Sequence, residues 1–278
     1  MIFTNPLIKR IMTAIVLIPL TLAGLFYLTP LWFCLFTSLI MLGAAWEWSR
    51  LMTLKSVWGR ILYLIISAVF FYWVFTIPVT YVSWMLIGVF VWWLSTIGMI
   101  AIYPARSEWW SKGVFVRGIM GLLVMTPSLA AINILRNQTD GVYAILFLFI
   151  LIWGADSAAY FAGRKWGRDK LAPLVSPGKT LQGCYGAFIF SVFITLITLW
   201  FCQVPFMVWP WAIILSLVTV MFSIVGDLFE SMIKRKAAVK DSGNIFPGHG
   251  GLLDRIDSLT AAAPVFVLGG LLLGKYLS

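Results

Sequence analysis

Along the chain, continuous apolar runs of spanning length alternate with short polar connections that carry most of the charge. A helix crosses the hydrocarbon layer of a bilayer in about 20 apolar residues. A window of that length predicts helices over residues 11–28, 31–48, 61–77, 81–103, 118–135, 142–161, 183–203, 209–232 and 259–275. Strands of a membrane barrel would instead show segments of about 10 residues with alternating polarity. The pattern therefore predicts an all-α, polytopic integral membrane protein of about nine transmembrane helices.

Charge supplies the orientation. If the chain changes side at each predicted helix, 18 of the 20 Lys and Arg fall on one side, leaving only Arg136 and Lys275 on the other. Such a bias marks the cytoplasmic side and places the N-terminus there. The start, Lys9-Arg10 followed by an apolar run, is similar to a signal peptide. It lacks a small-residue cleavage site before Pro30, so it is read as a retained first span. Trp46, Trp48, Tyr103, Trp109, Trp110, Trp209 and Trp211 fall near predicted helix ends and read as interfacial anchors.

Composition narrows the class. Hydrophobic residues make up 62% of the 278 and charged residues 11%, against about 25% charged in soluble domains. A soluble globular protein is excluded. The net charge of +10 would suit nucleic acid if it formed one patch, but its spread over loops between spans argues against such a partner. Cys34, Cys184 and Cys202 form no Cys-x-x-Cys pair and read as lipid-side or packing residues.

The acidic residues divide the chain. Seven of the ten lie beyond residue 150: Asp156, Asp169, Asp227, Glu230, Asp241, Asp254 and Asp257. Residues 1–135 read as a transmembrane scaffold and 136–278 as a catalytic transmembrane region, with cytoplasmic loops at 162–182 and 233–258. Asp227, Glu230, Ser231 and Lys234 are spaced to share one helix face, and Asp254 and Asp257 repeat the spacing where the ninth span begins. An ionisable side chain in a span costs about 2.5–3.5 kcal/mol on insertion scales and normally faces protein or a watery cavity. The two pairs are therefore expected to face each other. Interhelical polar contacts, or pairing with nearby Lys and Arg, are the alternative.

Carboxylates gathered in one pocket repel by about 3 kcal/mol per pair at 5 Å and an effective dielectric near 20. A cation must offset this. One histidine and no clustered cysteines disfavour zinc, whereas carboxylate oxygens suit Mg²⁺ or Mn²⁺. Mg²⁺ uses one or two carboxylates and completes its shell with water and phosphate, which points to a phosphate-bearing substrate. The loop supplies matching groups: Lys234-Arg235-Lys236, Lys240-Asp241, then Pro247-Gly248-His249-Gly250-Gly251 and Asp254-Arg255. Glycines allow backbone N–H groups to approach an anion, and Lys and Arg bind phosphate. The preceding loop adds Ser176-Pro177-Gly178-Lys179-Thr180, a turn suited to phosphate but without the spacing of a Walker A motif. Asp156, at the predicted end of the sixth span, either orients a cation or pairs with Arg164. Together these features suit phosphoryl or nucleotidyl transfer.

Residues 231–257, SMIKRKAAVKDSGNIFPGHGGLLDRID, resemble the signature of the phosphatidate cytidylyltransferases, or CDP-diacylglycerol synthases, without departure. The likeness extends to Asp156 and its glycine-arginine sequel, the Ser-Pro-x-Lys-Thr segment and Gly226-Asp227, covering roughly the last 125 residues. It implies transfer of CMP from CTP to phosphatidate in a bacterial cytoplasmic (inner) membrane, giving CDP-diacylglycerol and pyrophosphate. It also implies Mg²⁺, with room for a second, monovalent cation, at the aspartates matching Asp227 and Asp254. Asp257 joins them as an expected metal residue. Lys234, Arg235, Lys240, Asp241, His249 and Arg255 are the expected catalytic set, with His249 positioning rather than accepting a proton. Ser176, Lys179, Thr180, Gly250 and Gly251 are expected at the substrate. Partners are CTP, phosphatidate and membrane lipid; the sequence leaves a homodimer open.

Two rivals are weaker. A CDP-alcohol phosphotransferase needs Asp-Gly-x-x-Ala-Arg, but after Asp140-Gly141 the pattern reaches Ile145 where Arg is required. A transporter would line a path through the bilayer and often repeat its halves, whereas these charges gather at one face and the halves differ.

Overall fold

A computed structural model of the chain describes residues 6–111, 113–245 and 250–277. Ten α-helices, one small ribbon and a 3₁₀ turn at Phe206–Val208 make up its regular structure: α1 Pro6–Tyr27, α2 Pro30–Leu51, α3 Val57–Thr76, α4 Val79–Ala101, α5 Ser107–Ser111, α6 Val114–Arg136, α7 Gly141–Trp166, β1 Lys170–Ala172, β2 Ser176–Thr180, α8 Leu181–Phe201, α9 Trp209–Lys236 and α10 Leu253–Leu277. Among the described residues, eight helices are long and apolar enough to cross a membrane. The 22-residue α1 is the ninth apolar helix, with Ile15–Tyr27 as its shorter apolar segment. The expected polytopic helical architecture is present.

Side-chain chemistry explains how the helices assort. α6 is the most enclosed span, and its small residues Gly118, Gly121, Ser128, Ala130 and Ala131 are buried where other helices come close. A Cβ on Gly121 would overlap Tyr63 of α3 and Trp48 of α2. α9 and α10 approach as closely: a Cβ on Gly226 would lie 2.7 Å from the Asp257 carbonyl oxygen and 2.9 Å from Ala261 Cβ. Small residues permit such backbone approach in a bilayer, where dispersion contacts and polar contacts replace the hydrophobic drive. Tyr72, Trp84, Ile189, Phe193 and Trp200 point outward, as lipid-facing residues do.

Several expectations need correction. Trp48 is no interfacial anchor; it is 1% exposed, stacks on Phe229 at a centroid distance of 6.4 Å and donates from Nε1 to the Arg117 carbonyl at 2.8 Å. The window sensed its position near a helix end but not its direction. Asp156 does not end its helix, because α7 continues to Trp166 with Arg164 and Lys165 in its last turn. Helicity outlasts the apolar run there, and basic groups suit a helix C-terminus. For the same reason α9 reaches Lys236, whereas α10 begins at Leu253 with Asp254 in its first turn, where negative charge is favoured. The Ser176–Thr180 segment is a strand, not a simple turn, paired antiparallel with β1.

Candidate active site

Acidic and basic groups converge where α7, β2, α9 and the start of α10 meet. They surround a cavity of about 630 Å³. Ser176, Lys179 and Thr180 line it from the ribbon, Asp227 and Lys234 from α9, Asp254, Arg255 and Asp257 from α10, and Asp241 from the loop between those helices. Asp156, Tyr160 and Arg164 line it from α7 and Cys184 from α8. Thus one cavity holds the two carboxylate pairs' aspartates and the ribbon that the sequence linked to phosphate.

Each carboxylate has defined partners. Asp227 meets Lys179 Nζ through Oδ2 at 2.6 Å, an ion pair that joins α9 to the ribbon. Its Oδ1 accepts from Ser231 Oγ at 3.3 Å, one turn further along the helix. Lys234 sits between two acids, 2.6 Å from Asp254 Oδ1 and 3.1 Å from Glu230 Oε1. Glu230 is 3% exposed, and beyond this ion pair its oxygens have no hydrogen-bond partner among the described residues. The other Asp254 oxygen, Oδ2, accepts from Gly251 N at 2.7 Å and from both Ser242 N and Ser242 Oγ at 3.0 Å. Asp257 Oδ1 accepts from Ser258 N at 2.7 Å. The lysines occupy the cationic positions that carboxylates at such separations require.

The ribbon is fixed by neighbours in sequence. Gln182 Oε1 accepts from the Arg168 and Asp169 amides at 3.0 and 3.2 Å, and Gln182 Nε2 donates to Asp169 Oδ2 at 2.7 Å. Thr180 caps α8 by accepting from Gly183 N at 3.1 Å, as Thr does at helix starts.

The other expected residues occupy different places. Arg235 donates to the carbonyls of Val175 and Val239 at 3.4 and 3.2 Å, so it links the two loops instead of facing the cavity. Lys240 is exposed and does not line the cavity. Gly250 has φ +82°, where a side chain is strained, and a Cβ there would lie 2.6 Å from Asp254 Oδ2. Gly251 acts through its amide on Asp254. His249 lies outside the described residues.

One residue in the first half escaped the sequence reading. Glu47 of α2 is 1% exposed and accepts hydrogen bonds from Ser242 Oγ at 2.8 Å, Leu252 N at 2.9 Å and Leu253 N at 2.8 Å. Its signal was available: an acid inside an apolar span points to an interior role. The concentration of acids after residue 150 drew attention elsewhere.

Residues 8–272 match the model of a cytidylyltransferase family. A protein of Pseudomonas aeruginosa named phosphatidate cytidylyltransferase is 40% identical over 258 residues, covering 93% of this chain and 94% of its own length. Its namesake in Haemophilus influenzae is 37% identical over 277 residues, with coverage of 93% and 96%. That of Brucella suis is 33% identical over 267 residues, with coverage of 94% and 92%.

Proposed function

The chain belongs to the cytidylyltransferase family, and from that premise we propose how its cavity transfers CMP from CTP to phosphatidate, giving CDP-diacylglycerol and pyrophosphate. The observation that carries this reading is a single cavity in which aspartates of two apolar helices meet Lys179, Ser176 and Thr180 of a polar ribbon. Such a place serves a nucleotide arriving from water and a lipid whose tails stay among the helices. The basic end faces the cytoplasm of a bacterial inner membrane, supported by the 18-to-2 division of Lys and Arg and by the bacterial relatives.

In the reaction, a phosphate oxygen of phosphatidate attacks the α-phosphorus of CTP. The new P–O bond forms as the bond from that phosphorus to the pyrophosphate oxygen breaks, and pyrophosphate departs. The nucleophile is already ionised, so no strong general base is required. The difficulty is repulsion between two anions, and fixed cations relieve it. Lys179 and Arg255 reach the cavity from opposite elements and hold phosphate oxygens. Lys234, clamped by Glu230 and Asp254, offsets their charge and fixes the Asp254 carboxylate in place. Arg235 keeps the two loops in register.

The donor set suits Mg²⁺. Asp227, Asp254 and Asp257 offer hard oxygen donors in one cavity. No three His, Cys, Asp or Glu among the described residues form a metal cage on their own, so an ion held here would need water and substrate phosphates to complete its shell. When bound, Mg²⁺ neutralises charge on the triphosphate and orients it.

The test uses purified full-length protein, phosphatidate and CTP labelled in its cytidine ring. A labelled lipid-soluble nucleotide forms with Mg²⁺ and stops forming when a chelator removes it. Label that stays in the aqueous phase under both conditions contradicts the proposed transfer.

A further inference from the structure

We infer that Glu47 is a positioning residue for the reaction: from the scaffold half it holds both ends of the loop between α9 and α10 and, through Ser242, fixes the carboxylate of Asp254. The inference rests on the proposed function. Its basis is the unusual way in which this buried acid is satisfied. A carboxylate inside a span needs partners, and among the described residues the donors to Glu47 all belong to the loop and to the start of α10. Ser242 Oγ approaches Oε2 at 2.8 Å from the early side of the loop. Leu252 N and Leu253 N approach Oε1 and Oε2 at 2.9 and 2.8 Å from the late side. The last two are amides at the N-terminus of α10, where helical N–H groups lack intrahelical acceptors and negative charge is favoured.

The fit is tight on both sides. A Cβ on either Gly243 or Gly251 would overlap the Glu47 carboxylate, so these glycines let the backbone close around it. Ser242 then passes the constraint onward. Its hydroxyl lies 2.8 Å from Glu47 Oε2 and 3.0 Å from Asp254 Oδ2, sharing one hydrogen between them, while its amide donates to Asp254 Oδ2 at 3.0 Å. Gly251 N, beside the Glu47-bound Leu252, makes the 2.7 Å bond to the same oxygen. Of the two residues that donate to Asp254 Oδ2, Ser242 is bound to Glu47 directly and Gly251 adjoins Leu252, which is. Glu47 does not line the cavity and acts only through these groups.

The experiment compares wild type, Glu47→Gln, Ser242→Ala and their double variant in purified, lipid-reconstituted full-length protein. A control, Leu51→Val, alters a buried residue of the same helix. Glu47→Gln keeps the shape but turns an NH₂ toward a donor. Its kcat is expected to fall about 10–100-fold, the range for groups that orient metal-site ligands. The Mg²⁺ concentration for half-maximal rate rises, while KM for phosphatidate stays within about twofold. Ser242→Ala moves the same quantities in the same direction, and the double variant is no worse than the poorer single one, as expected of one coupled unit. Leu51→Val lowers Tm but keeps kcat. Wild-type kcat and Mg²⁺ dependence in Glu47→Gln would overturn the inference, as would losses that multiply in the double variant. So would an equal loss of kcat in Leu51→Val at equal Tm. If Glu47→Gln does not fold, Ser242→Ala decides: unchanged kcat and Mg²⁺ dependence overturn the inference. A wild type without CTP-dependent turnover would instead overturn the proposed function itself.

Discussion

The two loops that border the cavity differ in how far along the chain their supports reach. The ribbon loop before α8 is held largely by residues close to it in sequence, with Gln182 gripping the amides of Arg168 and Asp169 and Leu181 N donating to Asp169 O at 2.9 Å, and is tied to α9 by Lys179–Asp227 and Arg235–Val175. The loop between α9 and α10 is held by Asp254 from nearby and also by Glu47, whose three donors lie 195 to 206 residues away in the chain. A local arrangement forms with its own segment and has spare supports. A distant one exists only when α2 and α10 have docked, and the burial of its acceptor raises the cost of each lost bond. The second loop should therefore be far more sensitive to small changes.

Of the three substitutions that compare the loops directly, Gly251→Ala should have the largest effect. Its methyl group would overlap Glu47 and Ser242, and overpacking of this kind costs about 1–3 kcal/mol. Turnover of CTP should drop at least about tenfold, with a lower Tm in a thermal melt. Full activity would mean that the loop does not depend on that close approach. Gln182→Ala in the ribbon loop should do less. It removes two hydrogen bonds to backbone amides, each worth about 0.5–1.5 kcal/mol net, and one to the exposed Asp169 carboxylate, while the ladder between β1 and β2 remains. Steady-state kinetics should show a change in kcat/KM for CTP within about threefold. A loss as large as that of Gly251→Ala would erase the contrast. Smallest of all should be Leu174→Ala, between the two strands. Leu174 is 64% exposed, so stability should change by less than about 0.5 kcal/mol and turnover should match wild type.

The same contrast explains what could be read from the chain alone. The helices were legible because span length and apolarity are local properties. Their ends were less so, since α7, α9 and α10 continue through charged turns where hydropathy has already fallen. The ribbon was hidden because strands of three and five residues, one containing Pro177 and Gly178, show no useful alternation. At the site, Asp227, Lys234, Asp254 and Lys179 stood out as charges near apolar segments, and they share the cavity. Their pairings did not: nothing in the order of residues says that Lys179 meets Asp227 or that Lys234 bridges Glu230 and Asp254. Trp48 and Glu47 are neighbours in sequence. Both were misjudged or missed because their roles depend on which way α2 faces.

The central claim is that carboxylates of the last two helices carry the transfer of CMP to phosphatidate, and Asp254→Asn tests it most directly. The substitution keeps size and removes charge, leaving Lys234 paired with Glu230, and a thermal melt establishes that the purified variant is folded before it is assayed. CTP-dependent release of pyrophosphate with phosphatidate should fall by more than about 100-fold, beyond the 10–100-fold that supporting groups cost. Pyrophosphate release at the wild-type rate by the folded variant would contradict the account.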